Sequence, residues 1–261
     1  MKEEELADKY VRSLYWLREL FLPMDEIGKP VMGVRDWDDA VCINFGGKKL
    51  LASVDGPYTK RLVMKSALIH AATDVLVKGG RPLFALDTLI GKKEDIEDMA
   101  QSLKTQALAM RIPILGGNTM FEDEAEPRCN ITVIGELLLD EPIRDCGAEK
   151  GDVIMVLGEP IWGEQEERIE KAKKLISTWL KIIAEVKIHA AKDVTKGGLA
   201  STLHEVSEKC GRKFQLRDEI PFPMTRNLDN FLIFVSSEGF KQVSEICEEE
   251  CCPLQVIGSV E

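Results

Sequence analysis

The stretch Lys49-Leu-Leu-Ala-Ser-Val-Asp55-Gly56-Pro57-Tyr58-Thr59-Lys60 decides how the rest of the chain is read. Small and apolar residues from Leu50 to Val54 suit a buried strand, and Gly-Pro cannot continue one, so Asp55, Gly56, Thr59 and Lys60 fall at a strand's end. Just upstream, Ala40-Val-Cys-Ile-Asn-Phe45 is a second strand-like run, and Gly46-Gly47 between the two signals a hairpin turn. Pairing symmetrically about that turn sets Asp38 opposite Asp55 and Asp39 opposite Val54. Three carboxylates then converge at the hairpin's open end, where like charges repel unless a cation or a shared proton intervenes. A hard divalent ion such as magnesium, bound through a few carboxylates and a substrate's phosphates, suits such a place. A solvated Asp-rich turn beside a plain hairpin is the alternative.

At 261 residues with 44% hydrophobic content, the chain can bury a sizeable core and is expected to form more than one domain. Its net charge of −11 comes without a dense Lys/Arg block, which argues against nucleic acid and anionic membrane as partners. A phosphorylated small molecule is compatible, because local donors and a metal offset the global field. The start, Met1-Lys-Glu-Glu-Glu-Leu6, is too acidic for a signal peptide, and no apolar run spans a bilayer, so a cytoplasmic protein is expected. Seven cysteines in apolar contexts fit reduced thiols. Cys247-Glu-Glu-Glu-Cys251-Cys252 lacks the second ligand pair of a zinc site.

Residues up to about Leu22 read as an amphipathic helix, with Leu6, Tyr10, Leu14, Leu17 and Phe21 at helical spacing, followed by a loop to Gly33. After the hairpin, Arg61 to Lys78 carries Val63, Ala67, Ala71 and Val75 on one stripe and stops at Gly79-Gly80. Asp74 lies one turn from His70 and from Lys78; an exposed Asp74–Lys78 pair is the plain account of it. Pro82 to Leu89 is a predicted strand, and Glu94 to Met110 a helix with Ile96, Met99, Leu103 and Leu108 inward. Ile112 to Leu115 is a short strand running into Gly116-Gly117-Asn118-Thr119, which is either a phosphate or metal-water contact or a simple turn. Cys129 to Leu139 returns as a strand, giving an alternating α/β layer with helices on one side. Leu139 to Gly151 is the expected junction. Asp152 to Leu157 is a buried strand and Gln165 to Val186 a long, charged helix. Asp193-Val-Thr195-Lys196-Gly197-Gly198 then opens a helix with Leu199, Leu203, Val206 and Cys210 on one side. That turn presents backbone amides and a positive dipole end to an anion, or is an ordinary cap on Asp193 or Thr195. Segments Phe214 to Leu216, Phe231 to Ser236, Gly239 to Glu250 and Leu254 to Val260 alternate strand and helix.

Six motifs occur in order: Asp38-Asp39-Ala-Val41; Ser53-Val-Asp55-Gly56 with Thr59-Lys60; Thr73-Asp74 before Gly79-Gly-Arg-Pro-Leu83; Gly116-Gly-Asn-Thr119; Gly151-Asp152; and Asp193-Val-Thr-Lys-Gly-Gly-Leu-Ala200. From about Arg35 to the end, the chain resembles the aminoimidazole ribonucleotide (AIR) synthetase superfamily, which includes thiamine monophosphate kinase, selenophosphate synthetase and the hydrogenase-maturation carbamoyl dehydratase. The resemblance implies an α/β (α+β) two-domain fold: an N-terminal helix and loop over 1–34, an N-terminal mixed-sheet domain over 35–145 with helices on one face, and a C-terminal α/β domain over 146–261. It implies a homodimer joined through the N-terminal sheets into a barrel-like core. It also implies ATP with Mg2+ between the domains, and transfer of the terminal phosphoryl group to an oxygen of a small molecule.

Carried over residue by residue, the resemblance makes Asp39, Asp55 and Asp74 metal ligands, with Asp38 as a substitute. Asp55, Lys60 and Asp193 become catalytic candidates. Gly56, Thr59, Lys60, Gly116, Gly117, Asn118, Thr119 and Thr195 to Gly198 become nucleotide or phosphate contacts. Asn118 stands where relatives carry Asp or Glu, the N-terminal glycine-rich segment is reduced to Gly28, Lys29 and Gly33, and the cysteine-bearing tail of hydrogenase-maturation members is lacking after Val260-Glu261. The expected function is therefore an ATP- and magnesium-dependent enzyme with an unspecified acceptor, kinase-like or ligase-like. The alternatives are a thiamine phosphate kinase-like or hydrogenase-maturation-like activity, and a non-catalytic dimer that binds nucleotide or phosphate.

Overall fold

The computed structural model describes residues 3–261. The chain begins with helices α1 (Glu3–Tyr10), α2 (Tyr15–Phe21) and α3 (Met24–Gly28). The single long N-terminal helix expected from periodicity, whose first two residues lie outside the described ones, is broken at Val11 and a short 3-10 turn, Arg12–Leu14. The reason is burial: Leu6, Ala7 and Val11 are packed away, whereas Leu14 and Phe21 are exposed, so the stripe has a partner only over its first half. Packing supplies most of a helix's stability, and the partnered half keeps its register.

Strands β1 (Val41–Phe45) and β2 (Lys48–Thr59) form the expected hairpin. Gly46 and Gly47 both have positive φ, +57° and +82°, the turn whose twist matches paired strands and which disfavours side chains. The register runs from Val41 opposite Ala52 to Phe45 opposite Lys48, the symmetric pairing read from the sequence. Next come α4 (Lys60–Val63), α5 (Ala67–Val77), β3 (Gly80–Gly91), α6 (Lys93–Met110), β4 (Ile114–Phe121) and β5 (Arg128–Leu137). The sheet order is β1-β2-β5-β3-β4, with β3 and β4 parallel and the other pairs antiparallel. Its inner face, including Leu51, Ala85, Ile131 and Val133, is buried in the same core cluster as α5 and α6. Every residue of α5 except Asp74 is buried.

Two local readings need correction. Gly116 to Thr119 is neither a turn nor a loop but the middle of edge strand β4, hydrogen-bonded along β3. Parallel pairing supplies the backbone partners that two glycines cannot signal. Leu108 is 71% exposed, because the buried stripe of α6 runs through Ile96, Met99, Leu103 and Ala107.

The second half contains β6 (Val153–Leu157), α7 (Gln165–Glu185), β7 (Ala190–Asp193), α8 (Gly198–Cys210), β8 (Phe214–Leu216), β9 (Phe231–Val235), α9 (Ser237–Glu249) and β10 (Leu254–Val260). Its sheet, ordered β7-β9-β6-β10-β8, is antiparallel throughout. Period-2 alternation splits β6 between two cores: Met155 and Leu157 pack with α7 and α9, and Ile154 and Val156 with α8. The first of these cores also contains the residues under the N-terminal sheet, so the halves share one apolar interior. Trp179 of α7 is buried within it and donates its indole N–H to the Leu76 carbonyl of α5 at 2.6 Å. Truncating so large a buried ring costs about 3–5 kcal/mol. Helix α5 is thus pressed between the two sheets, which explains its burial on all sides but one. Among the described residues no helix is long and apolar enough to cross a membrane, and all seven cysteines are free thiols.

Candidate functional site

The one polar gap on α5 faces the junction of the two halves. Carboxylate oxygens of Asp39 (loop before β1), Asp74 (α5) and Asp193 (end of β7) lie within 4.8 Å of one another. The hairpin, the helix and the second sheet each contribute one acid. Asp55 sits on the same inner face of β2 as Leu51 and Ser53, and its Oδ2 lies 3.3 Å from His70 Nε2 on α5. The other nitrogen of His70, Nδ1, pairs with Asp229 of the second half. The imidazole therefore bridges one aspartate from each half. The Thr73 hydroxyl donates to Asp193 Oδ2 at 2.7 Å, and Asp74 makes no hydrogen bond or ion pair among the described residues.

The electrostatics follow from this crowding. Burial, reinforced by Asp193, Asp55 and Asp39, holds the Asp74 carboxyl well above its ordinary range. Burial and Asp39 push Asp193 up to about 7, against the opposing pull of Lys192 and His70. Burial works to lower the His70 pKa, but Asp229 and Asp55 outweigh it and raise the imidazole to about 9. Burial also raises the Tyr58 phenol, whose ring meets His70 edge-on at 5.6 Å and whose hydroxyl is buried without an aligned hydrogen-bond partner.

Immediately beside this lies a second acidic group that supplies its own counterions. Lys78, the residue that caps the C-terminal end of α5, pairs with Asp145 and has Asp39 Oδ2 at 3.1 Å. Lys192, next to Asp193 on β7, pairs with Asp39 and reaches Asp145 at 3.3 Å and Glu205 at 3.5 Å. Lys209 of α8 reaches Asp145 at 2.7 Å, Glu205 at 3.0 Å and Asp38 at 3.3 Å, and Arg144 holds Asp38 at 3.1 Å. Asp38, Asp39, Asp145 and Glu205 thus face Lys78, Lys192, Lys209 and Arg144. Burial opposes ionisation of Asp145, but Lys192, Lys78 and Lys209 win and hold it well below its usual range. By contrast, among the described residues Asp55 and Asp229 pair only with His70, and Asp74 and Asp193 are in no ion pair.

This sorts the residues singled out from the sequence. Asp39, Asp74 and Asp193 are brought together, with Asp55 linked to them through His70. Asp38 is the correction: its side chain is 1% exposed and held by Arg144 and Lys209, so the loop turns it away from the hairpin's open end into the lysine-rich group. Lys78 is likewise no exposed partner of Asp74, being fully buried against Asp145. Lys60 is engaged by Asp95 at 2.8 Å and by Asp98, both on α6, and Thr59 beside it is exposed. Gly117 is in register with Asp55 across the sheet, through Asp87 and Ile131. Three strand spacings, about 14 Å, separate the two, so Gly116, Gly117, Asn118 and Thr119 form an exposed edge away from Asp55 within one chain. Asn118 is occupied locally, accepting from the Thr119 amide at 3.0 Å.

At the start of α8, Gly197 is the capping residue and no side chain caps the helix, so neither Asp193 nor Thr195 does so. Gly198 is required by close approach: a Cβ there would stand 2.6 Å from the Arg226 amide and the Met224 carbonyl. Lys196 is exposed and Thr195 half-buried. Sequence reasoning missed His70 as a bridge, and Lys192, Asp145 and Asp229 altogether. The signal for Lys192 was its place beside Asp193; Asp145 and Asp229 carried none. An apolar concavity of about 500 Å³ lies elsewhere, between α6 and β4, and holds Asp87 as its single acid. A cation site needs converging oxygens, which that concavity lacks.

The donor set of Asp39, Asp74 and Asp193 is all hard oxygen, with two of its carboxyls pushed toward protonation by burial and by the neighbouring acids. It therefore fits a divalent ion such as Mg2+.

Comparison with known proteins agrees with this architecture. Residues 37–137 match the family model described as AIR synthase related protein, N-terminal domain, and residues 149–261 match the one for its C-terminal domain. An uncharacterized protein of Methanocaldococcus jannaschii is 36% identical over 99% of this chain and 85% of its own length. A putative hydrogenase expression/formation protein of the same organism is 28% identical over 73% of this chain and 64% of its own length. Among solved structures, T. maritima PurL complexed with ATP superposes with a TM-score of 0.72 at 17% identity, covering 88% of this chain and 43% of that one. At that identity the likeness speaks for the fold. With both halves of the chain matched in order by the family models, this protein belongs to the AIR synthase related family.

Proposed function

We propose that this protein is an ATP- and magnesium-dependent enzyme that transfers the terminal phosphoryl group of ATP to an oxygen of a small molecule, at the junction of its two halves. The observation that carries the reading is the meeting of Asp39, Asp74 and Asp193 within 4.8 Å, from three elements and both halves. Carboxylates held that close at a junction, two of them pushed toward protonation, represent stored repulsion that a bound cation relieves. ATP enters the proposal through the ATP-bound relative, and Mg2+ through the chemistry of the donors.

In this reading Asp39, Asp74 and Asp193 hold the ion, with Asp55 alongside, and the ion when bound neutralises phosphate charge. His70 fixes Asp55 and Asp229, one from each half, so that the halves keep a single spacing around the site. The Thr195 to Gly198 turn offers backbone amides to phosphate oxygens. Transfer forms one bond from the acceptor oxygen to the terminal phosphorus and breaks the bond to the bridging oxygen. The electron pair leaves with ADP, and any proton on the acceptor passes to water or to a site carboxylate. Positioning and charge neutralisation supply most of the catalysis in such reactions.

A homodimer through the N-terminal sheet is part of the proposal. The outer face and edges of that sheet expose Val54 (70%), Leu115 (68%), Phe45, Phe121, Ile43 and Leu86, an apolar surface that a second copy would cover. One observation favours a non-catalytic nucleotide-binding dimer instead: Lys78 and Lys192 already neutralise Asp39, which weakens its claim as a ligand. Calorimetry with ATP and Mg2+, on wild type and Asp74→Asn, together with an assay for ADP release, separates the two. Binding with slow ATP hydrolysis, both lost in the variant, is the expected result. Binding without any turnover supports the non-catalytic dimer, and no binding at millimolar nucleotide sinks both.

A further inference from the structure

The N-terminal helices fold back over α8 and enclose, with the loop before β1, a cavity of about 410 Å³. Its walls include Tyr10, Tyr15, Trp37, Glu205, Glu208 and Lys209. The volume is that of a small-molecule site. Three aromatic rings reach it from three separate segments: the end of α1, the start of α2 and the loop before the hairpin. Trp37 is held at φ +53°, a left-handed conformation that bulky residues rarely adopt, and its carbonyl accepts from the Lys209 ammonium. Such a conformation persists only where its surroundings impose it.

The polar groups of the cavity are also fixed. Glu208 accepts from the Tyr15 hydroxyl and, at 3.1 Å, from Arg12 Nε. Glu205 lies 3.0 Å from Lys209 and 3.5 Å from Lys192, which in turn pairs with Asp39. A single ammonium group, that of Lys192, therefore stands between the cavity wall and the aspartate cluster.

We propose that this cavity receives the phosphoryl acceptor, and that the acceptor is a planar, ring-bearing small molecule, neutral or cationic. The inference rests on the function proposed above and names the substrate class for the same site. Aromatic walls favour a flat ring by stacking or edge contact, and favour a cationic one further. Glu205 and Glu208 offer acceptors to ring N–H or amine groups, and the Arg18 guanidinium on the wall offers N–H donors to a carbonyl. A nucleotide is the poorer occupant, because its phosphates would stand beside the Glu205 and Glu208 carboxylates of the wall.

Nicotinamide, adenine and benzamidine serve as probes, added singly to the full-length protein and followed by saturation-transfer NMR, in wild type, Glu208→Gln and Trp37→Leu. Circular dichroism verifies that each variant is folded. Fragments of about nine non-hydrogen atoms reach millimolar Kd in a formed site. At least one probe is expected to bind so, and to weaken about tenfold or more in both variants, while MgATP affinity changes by less than about twofold. No binding of any probe at tens of millimolar, binding indifferent to both substitutions, or displacement of the probe by ATP alone would each overturn the inference. In the wild-type protein, absent probe binding with intact MgATP binding rejects this inference only. Absent MgATP binding with intact probe binding rejects the proposed function itself.

Discussion

Around Asp145, three lysines and four acids close into a buried group in which each carboxylate has its counterion. Around Asp74, one turn back along α5 from Lys78, Asp55 and Asp229 share one histidine, and Asp74 and Asp193 are in no ion pair among the described residues. The two regions are similar in composition and burial and opposite in charge balance. A buried acid is tolerated when its partner is built in, and such a pair holds structure together. An acid left without a partner marks a place where the partner comes from outside.

The largest effect should come from breaking the balanced side. Asp145→Asn leaves Lys78, Lys192 and Lys209 short of an anion in the interior, a loss of about 3–5 kcal/mol, or roughly a 10 °C fall in melting temperature by calorimetry. A fall of only a degree or two would mean that the group is wetter than its burial implies. On the unbalanced side the sign reverses. Asp74→Asn removes repulsion, so the ion-free protein should melt higher than wild type, while MgATP affinity drops about tenfold or more. A variant that loses stability without the ion would erase the contrast between the regions.

Ligand and pH sharpen the comparison further. MgATP at a hundredfold excess over Kd should add about 2.7 kcal/mol, roughly 5–10 °C, to wild type and much less to Asp74→Asn. Because the folded Asp193 carboxyl is raised to about 7, the folded state holds a proton that the unfolded state, titrating near 3.9, has already released. Its contribution to stability is therefore complete at acid pH and is lost as pH rises through about 7. His70, raised to about 9, adds stability that is complete below its usual value of about 6.5 and lost as pH rises through about 9. Melting scans from pH 5 to 9 should show the gain from Mg2+ growing with pH, since fewer protons then compete for the aspartates. A gain that is flat across this range would remove Asp193 from the ion's ligands. The smallest effect is expected at Lys60, whose partners on α6 are the half-buried Asp95 and the exposed Asp98. Lys60→Ala should shift the melting temperature by no more than about 2 °C; a clear loss of MgATP affinity would restore it as a phosphate contact.

Much of this could be read directly. The hairpin register, the stripe of α5 and the strand–helix alternation of both halves follow from local period and turn chemistry, which neighbouring residues carry. Asp39 and Asp55 drew attention at the hairpin's open end and Asp193 at a turn before a helix, whereas Asp74 entered only through the family resemblance. What failed was whatever depends on a distant partner. Asp38 and Asp39 are adjacent, and nothing local says that one turns to Arg144 and Lys209 while the other meets Asp74. Gly116 to Thr119 reads as a turn until β3 is alongside.

The sequence by itself determined the elements, their order, the family to which they belong and the acids that close the hairpin, because these depend on spacing along the chain. Only the tertiary structure decided which of those acids are neutralised. Lys78, Lys192 and Lys209 come from three elements, and Coulomb interactions depend on distance through space, which no run of neighbouring residues encodes.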